Sequence, residues 1–319
     1  MELRHLRYFL VVAEEGHFTR AAERLGMQQP PLSQQIRALE EELGFSLFRR
    51  HPKGAELTAA GAAYLAEARA ILDNVNQAGV RARRVANGSA GAIAVGFTSS
   101  AAAHSLIPKI VRAYRAAWPD VSIEFKEGNA AELTDAVAEG KLHLGFVRRP
   151  VGGPSGIVYR RLVEEEMLLV LPAGHPLLQG QGRGKTAGSL PLISLAALRN
   201  EQFILVRRRG ATGMYANLIE ACERAGFTPQ VAVEVDRMLT NIGLVAAGVG
   251  ISAVPASMQG FHADSVAYCR IRDGGPGLSA PLTLVTREQD LVPAASNFVE
   301  MIAQVLEGAQ DDGAARTMA

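Results

Sequence analysis

The sequence predicts an α/β protein with a mainly helical domain at its N-terminus. Residues 18–36 follow the pattern of a helix, a glycine-containing turn and a second helix. After residue 91, short apolar runs alternate with amphipathic helical stretches, which is typical of a sheet with mainly parallel strands. The length of 319 residues and the hydrophobic content of 48% allow two or three packed domains.

A winged helix-turn-helix is predicted over residues 1–58. Ala21 and Ala22 permit two helices to cross closely, and Gly26 provides the turn between them. Pro30 and Pro31 lack N–H donors, which is tolerated in the first turn of a helix, so a new helix is expected to begin there. Two short extended runs around a proline and glycine turn in residues 45–58 predict the wing. The apolar spacing predicts the core of this domain from Leu6, Phe9, Leu10, Ala13, Leu25, Leu32, Ile36, Leu39 and Leu43.

The polar face of the second helix indicates DNA binding. Its amides, hydroxyl and guanidinium are groups that read base edges in the major groove. The residues expected to read DNA are Thr19, Gln28, Gln29, Pro30, Pro31, Ser33, Gln34 and Arg37. The wing cations Arg49, Arg50 and Lys53 are expected to hold phosphates. Residues 1–58 hold eight Lys or Arg and eight Asp or Glu, so affinity must come from the placement of charge. Taken singly, each of these side chains could instead be solvated surface.

Residues 59–87 predict a long helix that pairs with a second copy. Apolar residues recur at alternating spacings of four and three, which is typical of a coiled-coil seam. The predicted dimer contacts are Tyr64, Ala68, Ile71, Val75 and Ala78, and the seam continues to Ala82 and Val85. The alternative is a helix packed on its own domain. Residues 88–91 are expected to form a hinge.

Residues 92–308 predict two lobes with a cleft between them. Lobe I is expected over 92–163 and 265–308 and lobe II over 164–264, with a disordered tail at 309–319. The expected strands lie at 92–98, 121–126, 142–147, 167–171, 203–206, 231–235, 265–271 and 282–287. The expected helices lie at 106–118, 130–139, 212–225, 237–247 and 294–306.

Polar residues follow several of these strands, at the edge where open α/β sheets bind ligands. Hydroxyls, helix-end amides and a guanidinium together suit a carboxylate. The predicted effector residues are Thr98, Ser99, Ser100, Asn129, Arg148, Val206 and Arg207, with Phe146, Phe203 and Ile204 as apolar walls. Helix capping is the alternative role for Ser99, Ser100 and Asn129, and a surface salt bridge is the alternative for Arg148.

Other classes of protein find little support in the sequence. There is no apolar run of 18 residues and no signal-peptide pattern, so a soluble cytoplasmic protein is expected. Cys222 and Cys269 are far apart and predict neither a disulfide framework nor a zinc site. Gly248 and Gly250 follow a helix, the reverse of a dinucleotide-binding fingerprint. We expect no enzyme activity, no metal and no cofactor.

The order of these features resembles the LysR-type transcriptional regulators. The resemblance rests on the helix-turn-helix and basic wing, the run Leu57-Thr58-Ala59-Ala60-Gly61, and the segments 142–146 and 245–251. Among them it is most similar to members that control aromatic catabolism. It implies a dimerising linker helix, a two-lobed effector domain like periplasmic binding proteins, a homodimer or homotetramer, and contact with RNA polymerase. It also implies an effector site at the positions of Ser99, Asn129, Arg148 and 205–207, although Arg207, Arg208 and Arg209 depart from that pattern.

The sequence therefore predicts a regulator whose binding to double-stranded DNA responds to a small organic acid. The effector expected is an aromatic acid or a dicarboxylate from aromatic catabolism. The alternative is a cytoplasmic two-lobed receptor that binds a small molecule and no specific DNA sequence. Neither hypothesis involves a membrane.

Overall fold

The computed structural model describes residues 1–52, 54–150, 152–179, 190–206, 215–275 and 277–317, with side chains up to position 308. The chain divides into two compact units, Met1–Arg84 and Val85–Ala319. No helix within the described ranges combines the length and the apolar character that crossing a membrane requires.

The N-terminal unit contains three helices, a two-stranded wing and a long helix. The elements are α1 (Leu3–Glu15), α2 (Phe18–Arg24), α3 (Gln29–Leu43), β1 (Phe48–His51), β2 (Gly54–Leu57) and α4 (Ala59–Ala86). The strands β1 and β2 are antiparallel, with Phe48 opposite Leu57. The core is built from one apolar stripe on each helix, and Leu6, Phe9, Leu32, Ile36 and Leu39 are all buried. These observations agree with the predicted winged helix-turn-helix.

Local sequence signals explain where the three short helices begin and end. Pro30 and Pro31 occupy the first turn of α3, where no intrahelical donor is needed. Gly26 lies between α2 and α3 with φ +64°, and Gly44 ends α3 with φ +78°. Residues other than Gly, Asn and Asp rarely adopt this left-handed backbone conformation. Gly26 therefore permits the turn between α2 and α3, and Gly44 ends α3.

The long helix α4 differs from the prediction in its first turns. Ala68 is fully buried in the core of the N-terminal unit, and the ring of Tyr64 packs 5.4 Å from that of Phe9. These two residues therefore contact their own unit, as the alternative interpretation expected. Ile71 and Val75 are 37% and 40% exposed. The apolar seam is therefore accessible to another chain only beyond the first turns of α4.

The C-terminal unit alternates strands and helices. Its strands are β3 (Gly91–Phe97), β4 (Val121–Glu127), β5 (Leu144–Val147), β6 (Ile157–Pro172), β7 (Leu192–Ile193), β8 (Gln202–Val206), β9 (Gln230–Val235), β10 (Ser252–Pro255), β11 (Val266–Ile271) and β12 (Ser279–Arg287). Its α-helices are α5 (Ser99–Ala102), α6 (Leu106–Ala117), α7 (Ala130–Ala138), α8 (Ala216–Arg224), α9 (Met238–Ala246) and α10 (Pro293–Thr317). Short 3-10 turns lie at Pro176–Leu178, Leu195–Leu198 and Ala256–Met258.

The sheet topology creates two lobes. The strand order is β4-β3-β5-β12-β6-β11-β7, β10 also pairs with β6, and β8 and β9 form a separate parallel pair. The 16-residue strand β6 pairs with β12 through its first half and with β10 and β11 through its second half. One set of buried residues surrounds β3, β5, β12 and α10, and another surrounds β6, β8, β10 and β11. We call these the cores of lobe I and lobe II, and β6 runs from one to the other.

The structure differs from the prediction at several segments. Residues 265–271 were expected in lobe I, but β11 pairs with the second half of β6, and Cys269 lies in the lobe II core. The first half of β6 and the strand β10 were not predicted as strands. The helix expected at 294–306 continues to Thr317, into the segment expected to be disordered; this segment lacks proline and contains residues with favourable helix propensity.

Candidate functional site

The outer face of α3 presents the residues predicted to read bases. Gln34 and Arg37 are exposed on this helix, and Ser33, also on this helix, is half-buried. The remaining predicted residues at the start of the helix-turn-helix, Thr19, Gln28, Gln29, Pro30 and Pro31, are also exposed. An exposed face of amide, hydroxyl and guanidinium groups next to a basic wing has the chemistry required to bind bases and phosphates.

Two of the three wing cations can be located, and they differ. The Arg49 side chain is exposed and makes no hydrogen bond to a described residue, which suits a phosphate contact. Arg50 instead stacks over the ring of Phe18, with its guanidinium carbon 4.2 Å from the ring centroid. Burial, together with the nearby charge of Arg37, lowers the pKa of Arg50. Lys53 lies outside the described residues.

The wing is fixed to α3 by a glutamate that the sequence did not single out. One carboxylate oxygen of Glu40 accepts hydrogen bonds from the backbone N–H groups of Leu47, at 2.7 Å, and Phe48, at 3.1 Å. The sequence shows this residue only as part of an acidic run at the end of the recognition helix. Its role depends on the chain turning back at Gly44, so the three-dimensional fold was needed to find it.

In lobe I, the strand ends bring the predicted effector residues together. Thr98 follows β3 and donates its backbone N–H to the carbonyl of Phe146 on β5. Its hydroxyl caps α5 by accepting from the N–H of Ala101 at 3.2 Å. Asn129 caps α7 and forms a capping box with Glu132. These two residues therefore have capping roles. Within the described residues, the half-buried Ser99 hydroxyl makes no hydrogen bond.

Arg148 is the central charge of this region, and it forms a buried ion pair. The guanidinium lies 2.5 Å from a carboxylate oxygen of Glu165, and the two side chains are 5% and 13% exposed. It also donates to the carbonyl of Ser100 at 2.5 Å and to the hydroxyl of Ser257 at 2.8 Å. Burial lowers the pKa of Arg148, and the attraction of Glu165 opposes this shift. The predicted alternative of a surface salt bridge is therefore wrong, because the pair is buried.

This ion pair sits where the lobes join. Ser100 belongs to α5 of lobe I, whereas Ser257 lies in the turn Ala256–Met258, which packs into the lobe II core. Glu165 on β6 accepts from both the N–H of Ser257, at 2.6 Å, and its hydroxyl, at 2.9 Å. His104 lies in the same neighbourhood; burial lowers its pKa, while the charge of Glu165 raises it.

A second ion pair links the lobes at the surface. Arg237, which precedes α9 in lobe II, donates to Glu127 at the end of β4 in lobe I, at 3.0 Å. Both side chains are about half exposed. We call this contact the surface clasp. Neither of its residues was singled out from the sequence, since exposed charges near strand and helix ends carry no specific local signal.

The predicted apolar walls are core residues. Phe146 and Phe203 are 1% and 0% exposed, in the cores of lobe I and lobe II, and Ile204 is equally buried. Their expected contact with an effector is not supported, because all three side chains are enclosed by the cores of their lobes. Val206 ends β8 and is half-buried. Arg207 lies outside the described residues.

The two cysteines are buried thiols in lobe II. Burial raises the pKa of Cys222 to about 12 and that of Cys269 to about 11. Thiols with such values are largely protonated near neutral pH and react slowly as nucleophiles. Over the described part of the chain, no cluster of three His, Cys, Asp or Glu residues could hold a metal ion.

Comparisons with known proteins agree with this architecture. Residues 3–62 match the profile of the bacterial regulatory helix-turn-helix proteins of the lysR family, and residues 86–307 match the LysR substrate binding domain. YnfL of Escherichia coli, an uncharacterized HTH-type transcriptional regulator, is 37% identical over 93% of this chain and 96% of its own length. BenM of Acinetobacter baylyi, another HTH-type transcriptional regulator, is 34% identical over 96% of each chain.

The solved structures show the same similarity. The crystal structure of full-length CbnR in complex with its target DNA shares 30% identity and a TM-score of 0.77. The match covers 96% of this chain and 100% of CbnR. The similarity in sequence and fold therefore extends along nearly the whole length of both chains.

Proposed function

Since this chain belongs to the LysR family of transcriptional regulators, we propose that it regulates transcription in response to a small organic acid bound between its two lobes. The acid we propose is an aromatic acid or a dicarboxylate from aromatic catabolism. We propose the cytoplasm as its compartment, and no cofactor beyond this effector.

The regulator itself rests on family membership. LysR-type proteins are DNA-binding regulators with an effector domain, not enzymes, and they form oligomers. The observation that carries DNA binding for this chain is the exposed polar face of α3 beside its wing. The alternative of a receptor without sequence-specific DNA binding leaves this face without a role, so we do not favour it.

The choice of an acid rests on Arg148. A guanidinium is the side chain best suited to bind a carboxylate in a buried place. The Nε of Arg148 is buried and has no hydrogen-bond partner among the described residues, which favours an additional acceptor nearby. The Ser99 hydroxyl, close by in sequence to Ser100, offers another donor. Because Glu165 already balances the charge of Arg148, an acid must compete with this carboxylate.

The direct test is a selection of random DNA duplexes by the purified full-length protein, repeated with benzoate, cis,cis-muconate or benzamide. We expect enrichment of an interrupted palindrome, because a symmetric dimer reads two half-sites. One of the two acids should change its occupancy or bending, and neutral benzamide should not. If a palindrome is enriched but benzamide changes its binding as much as the acids do, the proposal of an acidic effector is refuted. If no sequence is enriched, the proposal of a DNA-binding regulator is refuted.

The role of Arg148 is tested by replacing the ion pair as a whole. The double variant Arg148→Met with Glu165→Leu removes both charges and leaves no buried charge unpaired. We expect it to bind the selected operator as the unchanged protein does and to lose its response to the acid. Glu166→Leu, on the same strand, is the matched control and should retain the response. A normal response in the double variant would remove Arg148 from the effector site.

A further inference from the structure

Arg50 connects three elements of the N-terminal unit. It lies on β1, its guanidinium stacks over Phe18 at the start of α2, and its Nη1 donates to the hydroxyl of Ser33 on α3 over a long 3.5 Å. Phe18 is itself anchored, since it is only 8% exposed and its ring packs 5.7 Å from that of Phe48. A cation held over an aromatic face is oriented by the protein before DNA arrives.

The same contact defines the hydrogen-bonding capacity of Ser33. A hydroxyl has one donor and two acceptor lone pairs. The side-chain amide of Gln29 donates to the Ser33 oxygen at 2.8 Å, and Arg50 is the second donor. Both acceptor positions are thus engaged, so the O–H of Ser33 remains available to DNA as a donor. In the major groove it suits the acceptors of guanine, N7 of adenine and O4 of thymine.

We propose that Arg50 is a positioning residue for base recognition, which holds the wing against the recognition helix and, with Gln29, fixes Ser33 as a hydrogen-bond donor to a base. This differs from the phosphate contact that the sequence predicts for Arg50. Arg49, the preceding residue, remains the wing cation that is free to contact a phosphate.

The distinction can be tested because lysine keeps the charge of Arg50 but lacks its planar stacking group. The full-length variants Arg50→Lys, Arg50→Gln, Ser33→Ala and Arg49→Gln are compared with the unchanged protein. Affinity for the selected operator and for a scrambled duplex is measured over a range of KCl concentrations. A selection on random duplexes then shows at which base pair each variant loses its preference. Thermal unfolding followed by circular dichroism identifies any variant that fails to fold.

We expect Arg50→Lys to weaken operator binding about tenfold, as the loss of one base contact does, without weakening binding to the scrambled duplex. Its salt slope should be unchanged. Arg50→Lys and Ser33→Ala should lose preference at the same base pair, and the double variant should be no weaker than Ser33→Ala. Arg49→Gln should instead weaken binding to both duplexes. It should also reduce the slope of log affinity against log salt by about 0.9, as expected for one phosphate contact.

Three results would overturn the proposal. One is an Arg50→Lys protein that binds the operator within about twofold of the original, which is what a phosphate contact predicts for a retained charge. Another is an Arg50→Gln protein with the same reduced salt slope as Arg49→Gln. The third is loss of preference at different base pairs in Arg50→Lys and Ser33→Ala. If Arg50→Lys is unfolded, the comparison of Arg50→Gln with Arg49→Gln still decides between the two roles.

Discussion

Glu165→Leu should strongly destabilise the C-terminal unit. The substitution leaves the guanidinium of Arg148, 5% exposed, without its counter-charge 2.5 Å away. It also removes the acceptor of two hydrogen bonds from Ser257, of 2.6 and 2.9 Å. Removing one partner of a buried pair costs about 3–5 kcal/mol of the free energy of unfolding. Leucine is close to glutamate in volume, so a cavity should contribute little to this loss.

The assay is urea unfolding of the full-length chain followed by fluorescence. Trp118 is the single tryptophan of the sequence and packs 4.8 Å from Tyr114 in lobe I, so its signal reports on the C-terminal unit. With an m-value of about 2–3 kcal/mol/M, the midpoint should fall by about 1–2.5 M urea. Glu166→Leu breaks only an exposed pair with Arg270 and should cost below about 1 kcal/mol.

A second comparison separates the unpaired charge from other effects of the substitution. Arg148→Met combined with Glu165→Leu replaces both charges by apolar groups, which is often neutral or stabilising. Most of the lost stability should therefore return in the double variant. A midpoint for Glu165→Leu that equals that of Glu166→Leu would refute the reasoning, since it would mean that the buried charge costs nothing.

Three further predictions concern other parts of the molecule. Gly61→Val should unfold the N-terminal unit without moving the tryptophan transition, because a Cβ at this position would lie 2.1 Å from the carbonyl oxygen of Leu47; normal operator binding would contradict this. Burial lowers the pKa of His143, whose Nδ1 accepts from the N–H of Ala94. Stability from this neutral ring is present above the unfolded pKa of about 6.5 and is lost as pH falls through the folded pKa, so His143→Gln should flatten the decline of the unfolding midpoint from pH 7 to 5; an equally steep decline would assign it to other groups. Glu127→Gln opens the surface clasp and should speed hydrogen exchange at the start of α9 at low salt, with the difference from the unchanged protein vanishing near 1 M salt; a difference that persists in salt would mean that charge is not its cause.

The N-terminal unit could be predicted closely because its signals are local. Pro30, Gly26 and Gly44 mark where the helices begin and end, and the apolar spacing within each helix identifies the core. The linker helix shows the limit of such reasoning. Its apolar residues keep the same alternating spacing from Tyr64 onward, but Ala68 packs on its own unit while the Val75 side chain is exposed. A periodic pattern predicts a buried face without stating which surface will bury it.

The sequence placed several predicted effector residues at strand ends, but it did not identify the charged partner of Arg148. The strand ends predicted the positions of Thr98, Asn129 and Arg148, whereas the partner of Arg148 lies on β6, a strand predicted only from residue 167. Alternation along β6 was an available signal: Glu165 is 13% exposed, while Glu164 and Glu166 on either side are 44% and 46% exposed. The hydrogen bond from Arg148 to Ser257 spans 109 residues and depends on how the two lobes meet.

The position of Glu165 along β6 explains why a charge at this point can influence both lobes. Two residues before it, Val163 pairs with Leu282 in lobe I, and two residues after it, Met167 pairs with Pro255 in lobe II. Glu165 thus lies at the crossing between the lobes and binds Ser257 of lobe II directly. Because both charges are desolvated, any ligand group that draws Arg148 away from Glu165 changes a strong interaction, whereas the same displacement at the exposed surface clasp changes a weak one. Of the two ion pairs between the lobes, the one that the proposed acid would compete for is therefore the stronger.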